Sequence, residues 1–262
     1  MSKIQKQIDD LAKSQPWNHR IELDSGLFTS NEERHVREGT NIVKWNRIKP
    51  YLDSLDLKGK NVLDVGASDG FFTVELARRG ANVVSIELNE KRIEKLEFVI
   101  STLDLKSQVS ILSKDIYEID FSEYPKFDLA LCMGFLHRVP DMYSVMRNIS
   151  KVSYTVIYEW KALNMYSSEF PFLMFDGKSS DLNDKYVTCY FTPNMLAVLK
   201  ISQTLGKDYY QVLSNTRRSI VAVSSLSGPT HLKFSGVLHR SFLKRASDFL
   251  HRVLREFKYF FK

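Results

Sequence analysis

A chain of 262 residues with 44% hydrophobic content can bury a real core and fits one large α/β domain with additions. Two cysteines, Cys132 and Cys189, are too few for a disulfide framework or a cysteine zinc site and suit a reducing cytoplasm, with both thiols buried. The net charge of +6 is that of residues 231–262 alone, where eight Lys/Arg face Asp248 and Glu256, so the body is neutral and offers no general nucleic-acid surface.

Met1 to Gln15 is polar and lacks a signal-peptide core, and no run of 18 apolar residues occurs, so secretion and membrane spanning are not expected. Residues 3–14 read as an amphipathic helix. Trp17 to Asn31 reads as irregular or hairpin-like, turning at Asp24-Ser25-Gly26, a segment placed to cover a site. Ile42, Trp45, Ile48, Tyr51, Leu52 and Leu55 recur at roughly helical spacing, with Pro50 demanding a kink or a boundary. From Asn61 apolar runs alternate with helical patterns, the mark of a parallel sheet covered on both faces. Strands are expected at 61–65, 82–87, 109–113, 129–132 and 154–158, with helices at 71–79, 90–103 and 142–151. Tyr166, Phe170, Phe172 and Phe175 read as packing on the sheet edge rather than as an acceptor pocket. Thr192-Pro193 is expected to cap and open a helix to about Leu205, and 209–213 and 218–224 to close the sheet. Leu238, Phe242, Ala246, Phe249, Val253, Phe257 and Phe260 then mark a basic amphipathic helix, suited to an anionic membrane surface or a protein partner, to packing on the body, or to RNA phosphates.

In an open α/β sheet the ligand lies beyond the carboxyl ends of the strands. After the first strand, Asp64-Val65-Gly66-Ala67-Ser68-Asp69-Gly70 makes a tight turn into a helix whose first amides face the pocket, and Asp64 either holds polar parts of an amino acid or orders the loop. Glu87 ends the second strand, where a carboxylate accepts two hydrogen bonds from ribose hydroxyls. Asp115 accepts from an adenine amino group, with Ile116 against the ring. Met133-Gly134-Phe135 leads to His137, the candidate general base, and to Arg138, a candidate contact for an acidic acceptor. Glu159 ends the fifth strand, as an acceptor contact or as the partner of Lys161. The glycine spacing is G-x-x-x-G and lacks the middle glycine that a dinucleotide pyrophosphate requires. No His/Asp/Glu spacing suggests a metal site.

Val62-Leu63-Asp64-Val65-Gly66-Ala67-Ser68-Asp69-Gly70 resembles the first motif of class I methyltransferases dependent on S-adenosylmethionine (SAM). That likeness implies a Rossmann-like, mostly parallel seven-stranded sheet with helices on both faces. It also implies SAM as cofactor, with Asp64, Gly66, Ala67, Ser68, Gly70, Glu87, Asp115, Ile116 and Met133 around it. Lys44-Trp45-Asn46-Arg47, Met133-Gly134-Phe135-Leu136-His137 and Tyr190-Phe191-Thr192-Pro193 are similar to the tRNA wobble-uridine methyltransferase and carboxymethyltransferase-like family. Leu136-His137-Arg138 lacks the tyrosine of that family's carboxymethylating members, and their carboxylate-binding lysine has no clear counterpart, which favours plain methyl transfer. Tyr210-Gln211-Val212-Leu213-Ser214-Asn215 also echoes the methyltransferase domains of glycan chain-terminating enzymes. The expected organisation is a helical lid segment at 1–57, a SAM-binding domain at 58–230 and the tail helix at 231–262. The expected function is O-methylation of a small molecule or glycan precursor in the cytoplasm, with the tail against the inner membrane face. A tRNA-modifying enzyme and a SAM-binding regulator without turnover are the alternatives.

Overall fold

The structure is a computed structural model, and it describes residues 2–24, 26–31, 40–163, 170–178, 189–226 and 232–233. The tail helix expected from Leu238 onward, together with Tyr166, lies outside the described residues.

The N-terminal segment holds helix α1 (Lys3–Ser14), a short hairpin of β1 (Glu22–Asp24) and β2 (Leu27–Phe28), and helix α2 (Asn41–Asp53). The Ser2 side chain accepts from Gln5 N and starts α1. Pro50 does not end α2, which runs three residues further with Ile48, Tyr51 and Leu52 buried; packing on the body outweighs the lost backbone bond. The sheet core follows as β3 (Asn61–Val65), α3 (Phe71–Ala77), β4 (Asn82–Ile86), α4 (Glu90–Thr102), β5 (Val109–Leu112), β6 (Phe127–Met133), α5 (Met142–Val152) and β7 (Ser153–Lys161). Side chains of Asn89 and Asp141 cap α4 and α5 by accepting from Arg92 N and Ser144 N.

A separate hairpin, β8 (Leu173–Lys178) with β9 (Cys189–Pro193), precedes α6 (Met195–Thr204). The expected Thr192-Pro193 cap is corrected here. Both residues pair with β8, Pro193 opposite Leu173 and Thr192 opposite Met174, and Asn194 caps α6 by accepting from Ala197 N at 2.9 Å. The sheet is completed by β10 (Tyr209–Ser214), β11 (Arg218–Ser224) and β12 (Leu232–Lys233). Its order is β12-β10-β11-β7-β6-β3-β4-β5, parallel from β7 to β5 and antiparallel from β7 to β12. The described residues therefore form the expected seven strands plus a two-residue strand at one edge.

Alternate strand residues feed opposite faces, as the two-residue period requires. Val62, Leu129, Leu131, Ile157 and Ile220 join one core with Trp45, Ile48, Leu52, Phe72 and Leu96, which also takes in Ile8, Trp17 and Ile21 of the N-terminal segment. Leu63, Ala130, Val156, Tyr158 and Val221 join the other with Met146, Ile149 and Val198. The Cys132 thiol is in this second core, where burial pushes its pKa up. The expected packing of aromatics on the sheet edge is not what is seen: Phe170, Phe172 and Phe175 are exposed, Phe175 meeting Phe191 edge-on at 5.5 Å. No helix among the described residues is long and apolar enough to cross a membrane.

Candidate active site

From β3 the chain moves outward through β4 to β5, then returns to place β6 on the other side of β3. Ligands of open α/β sheets sit at such a reversal, between the loops that leave the two strands. The turn after β3 is built for a close approach. Gly66 (φ 73°) and Gly70 (φ 94°) occupy the left-handed region, and a Cβ on Gly66 would stand 2.8 Å from Phe135 of the opposite loop. Ser68 is also left-handed (φ 53°), a strained state for a residue with a side chain and of a kind that clusters at functional sites. Most amides of this turn have partners within the chain. Those of Gly66 and Ala67 donate to Ile86 O, that of Gly70 to Ala67 O and that of Ser68 to Glu87 Oε2. Phe71 N donates to His19 Nδ1, which corrects the expectation that the first amide of α3 faces the pocket.

Glu87 follows β4 and is buried. Its Oε1 accepts from Leu88 N and Asn89 N, both at 3.0 Å, and its Oε2 from Ser68 N at 2.8 Å. A carboxylate offers about four acceptor directions. Three are taken, and Arg92 NH1 stands 3.9 Å from Oε2. Asp115 is partly buried beyond β5 and accepts from Tyr117 N, with Ile116 buried beside it. Met133 closes β6, buried at its carboxyl end.

Asp64 lies behind the turn. It accepts from Thr73 Oγ1 at 2.7 Å, and Thr73 in turn meets Ser85 Oγ at 2.8 Å, so it ties β3 to α3 and β4 and matches the loop-ordering alternative. Burial pushes its pKa up to about 7. Its folded pKa exceeds the unfolded value, so its contribution to stability is full below about pH 4 and is lost as the pH rises towards 7. Asp64→Asn should therefore gain on the wild type by ~1 kcal/mol for each pH unit between those limits and then level off. Thermal unfolding of both proteins from pH 4.5 to 8 measures this, and a difference that does not vary with pH would refute it.

The loop after β6 gathers side chains from distant parts of the chain. Lys44 of α2 lies 3.0 Å from Glu159 Oε2, and Arg218 of β11 places NH2 3.3 Å from the same oxygen. Arg218 Nε stands 2.7 Å from Glu159 Oε1, close enough for an ion pair though misaligned for a hydrogen bond. Glu159 is thus inside β7, fully buried, and paired with Lys44 and Arg218, where the sequence suggested Lys161. Gly134 (φ 82°) admits this cluster, because a Cβ there would stand 2.8 Å from Lys44 Nζ.

His137 is buried on a short 3₁₀ turn, with Nδ1 facing Lys161 N at 3.3 Å and Nε2 facing Arg218 NH1 at 3.2 Å. Both neighbours are donors, and a neutral imidazole accepts through one nitrogen only. Burial first, then the charges of Arg218, Arg138, Lys44 and Lys161, hold its pKa down at about 2. Arg138 beside it is exposed.

Lys44, Arg218, Asp69 and His19 had no role in the sequence reading. Buried Asp69 accepts from Asn18 N and from His19 N (3.0 Å), and Lys95 Nζ donates to Gln15 O and Pro16 O, so residues 15–19 lie across the glycine turn. The one readable signal was composition: an aspartate inside a glycine turn, and a lysine among Ile42, Trp45 and Ile48.

Residues 56–159 match the family model described as a methyltransferase domain. Over these residues the chain is similar to methyltransferase domains, and its sheet has the Rossmann-like order of the class I fold. The limits of the match coincide with β3 to β7, so the N-terminal strap, α6 and the final hairpin lie outside it. Among curated proteins, a ubiquinone biosynthesis O-methyltransferase from Hahella chejuensis is 37% identical over 108 residues, 39% of this chain and 44% of that protein. A tRNA U34 carboxymethyltransferase from Nautilia profundicola is 26% identical over 145 residues, 55% of this chain and 45% of that protein. The chain therefore spans less than half the length of these relatives. Among solved structures, the N-terminal domain of EvdMO1, crystallised in the presence of SAH and D-fucose, superposes with a TM-score of 0.63 at 16% identity. That superposition covers 86% of this chain and 98% of that one.

Proposed function

We propose that this protein transfers a methyl group from SAM to an oxygen of a small-molecule or glycan acceptor. The observation that carries the reading is the left-handed turn Gly66–Gly70 locked to buried Glu87 across the carboxyl ends of β3 and β4. In this reading Gly66, Ala67, Ser68 and Gly70 shape the turn and Glu87 accepts from the ribose. Asp115 and Ile116 meet the adenine, Met133 flanks the reacting centre, and Asp64 stiffens the turn from behind. The name of the Hahella relative supports oxygen as the acceptor atom, and the sugar in the EvdMO1 structure supports an acceptor of small size.

SAM supplies a methyl group on a sulfonium. Displacement from a sulfonium is in line, so alignment supplies much of the rate, and a base is needed only where the acceptor must lose a proton. The chain's part is to hold the acceptor oxygen at the loop after β6, with Arg138 as its contact and Glu159 acting through Lys44 and Arg218.

Calorimetric titration with SAM is the direct test. Glu87→Ala removes a charged acceptor worth about 1.5–3 kcal/mol and should weaken SAM roughly tenfold to a hundredfold, while leaving the fold cooperative. No binding by the wild type, or equal binding by the variant, would defeat the proposal. The Nautilia relative favours a second reading, a tRNA-modifying enzyme, which predicts tRNA binding that falls steeply with salt. A SAM-binding regulator would hold SAM without turnover on any acceptor. Peripheral attachment through the tail would show as flotation with anionic vesicles that is lost on deleting residues 235–262.

A further inference from the structure

The family match begins at residue 56, yet the turn after β3 is fastened to residues 15–19, well outside it. Asp69, inside the glycine turn and fully buried, takes the amides of Asn18 and His19 on Oδ2, the second at 3.0 Å. Bonds of other kinds join the same two segments. Asn18 Nδ2 donates to Ser68 Oγ at 3.2 Å, and Phe71 N, the first amide of α3, donates to His19 Nδ1 at 3.2 Å. The strap is also tied on its outer side: Lys95 of α4 donates to Gln15 O and Pro16 O, Trp17 Nε1 to Ile8 O, and Thr29 Oγ1 to His19 O.

Closing the strap over Asp69 has a cost. Its Oδ1 is buried with no hydrogen-bond partner among the described residues. Burial raises its pKa above the usual carboxylate range, against the pull of the His19 amide, Lys95, the Asn18 amide and Arg92. A closure that carries such a cost is open to bias by a ligand on the same turn. That turn is also the one proposed to meet SAM. Ser68 N is fixed on Glu87 Oε2 at 2.8 Å while its neighbour Asp69 holds the strap, so a ligand that steadies Ser68 and Glu87 steadies the oxygen that receives the strap amides.

We propose that Asp69 is a positioning residue that makes residues 15–19 a wall of the cofactor pocket, so that SAM binding and strap closure reinforce each other, an inference that rests on the SAM-binding reading. Such coupling is reciprocal. The factor by which the ligand favours the closed strap equals the factor by which the closed strap tightens the ligand. A strap that only covers the core around Trp17 would stay closed to the same extent with and without the cofactor.

The test is amide hydrogen exchange of the full chain with and without S-adenosylhomocysteine (SAH), in the wild type, Asp69→Asn and Asp69→Ala. The Asn18 and His19 amides report the strap, and those of Leu131 and Ile157, paired in the central strands β6 and β7, report the whole fold. In the wild type SAH should slow exchange at Asn18 and His19 roughly tenfold, within the usual range for coupled sites, and this slowing should level off at saturation. Amides that exchange through global unfolding instead keep slowing as SAH is raised. Asp69→Ala should lose the strap response and bind SAH more weakly by about the same factor, as read by calorimetry. Asp69→Asn keeps an oxygen for the two amides and should fall between, which decides the matter should alanine prevent folding. SAH that binds the wild type without slowing the strap, or slows it only in step with Leu131, overturns the inference, as does equal binding of SAH by Asp69→Ala and the wild type. Failure of the SAM-binding reading would appear separately, as wild-type protein that does not bind SAH.

Discussion

Glu159→Ala is expected to lower folding stability by about 3–5 kcal/mol, the usual cost of leaving buried partners without their counter-charge. Glu159 is fully buried in β7, and its carboxylate is the counter-ion of Lys44 from α2 and of Arg218 from β11. Its removal strands a buried ammonium and a largely buried guanidinium beside each other. Most of the loss should therefore be electrostatic. The double variant Lys44→Met with Glu159→Gln tests this, because one cation then remains beside a neutral acceptor, and it should recover at least half of the loss. Urea unfolding of the single and double variants measures both quantities. A single-variant loss below ~1 kcal/mol would mean that solvent already screens the cluster.

The same cluster marks where sequence reading stops. The order of strands and helices from Asn61 to Lys161 was legible, because buried parallel strands and covering helices impose periods that survive in the residues themselves. The glycine turn and Glu87 were legible too, since a left-handed backbone and a strand-end carboxylate each leave a residue-type signature. Lys44, Glu159 and Arg218 lie far apart in the chain and meet only because β7 pairs with β11 and α2 packs near β10. No local pattern encodes that meeting. At His137 residue type suggests a base, while burial and four cations, three of them distant in sequence, lower its pKa. At Thr192-Pro193 two signals competed. A threonine before proline suits a helix start, but pairing with β8 claimed both residues, and Asn194 took the cap while also binding Phe172 N and Phe170 O.

Gly70→Ala tests whether the cofactor turn is held by backbone geometry. Gly70 is the cap of α3 at φ 94°, and a Cβ there would overlap Cδ1 of Leu96, a fully buried residue of α4. Two costs combine: left-handed strain of about 1–2 kcal/mol, and overpacking of about 1–3 kcal/mol while Leu96 shifts. Gly206→Ala separates them, because Gly206 is left-handed at φ 76° and a Cβ there meets nothing within 4 Å. Gly206→Ala should therefore show the strain alone, and the excess at Gly70 should fall when Leu96 is cut back to alanine in the same chain. Only the Gly70 variant should also weaken SAM, since its strain moves the turn that Ser68 N fastens to Glu87. Thermal unfolding gives the first comparison and SAM titration the second. Equal losses of stability at Gly70 and Gly206, with SAM affinity unchanged in both, would show that the turn tolerates a side chain and that the cofactor does not depend on its shape.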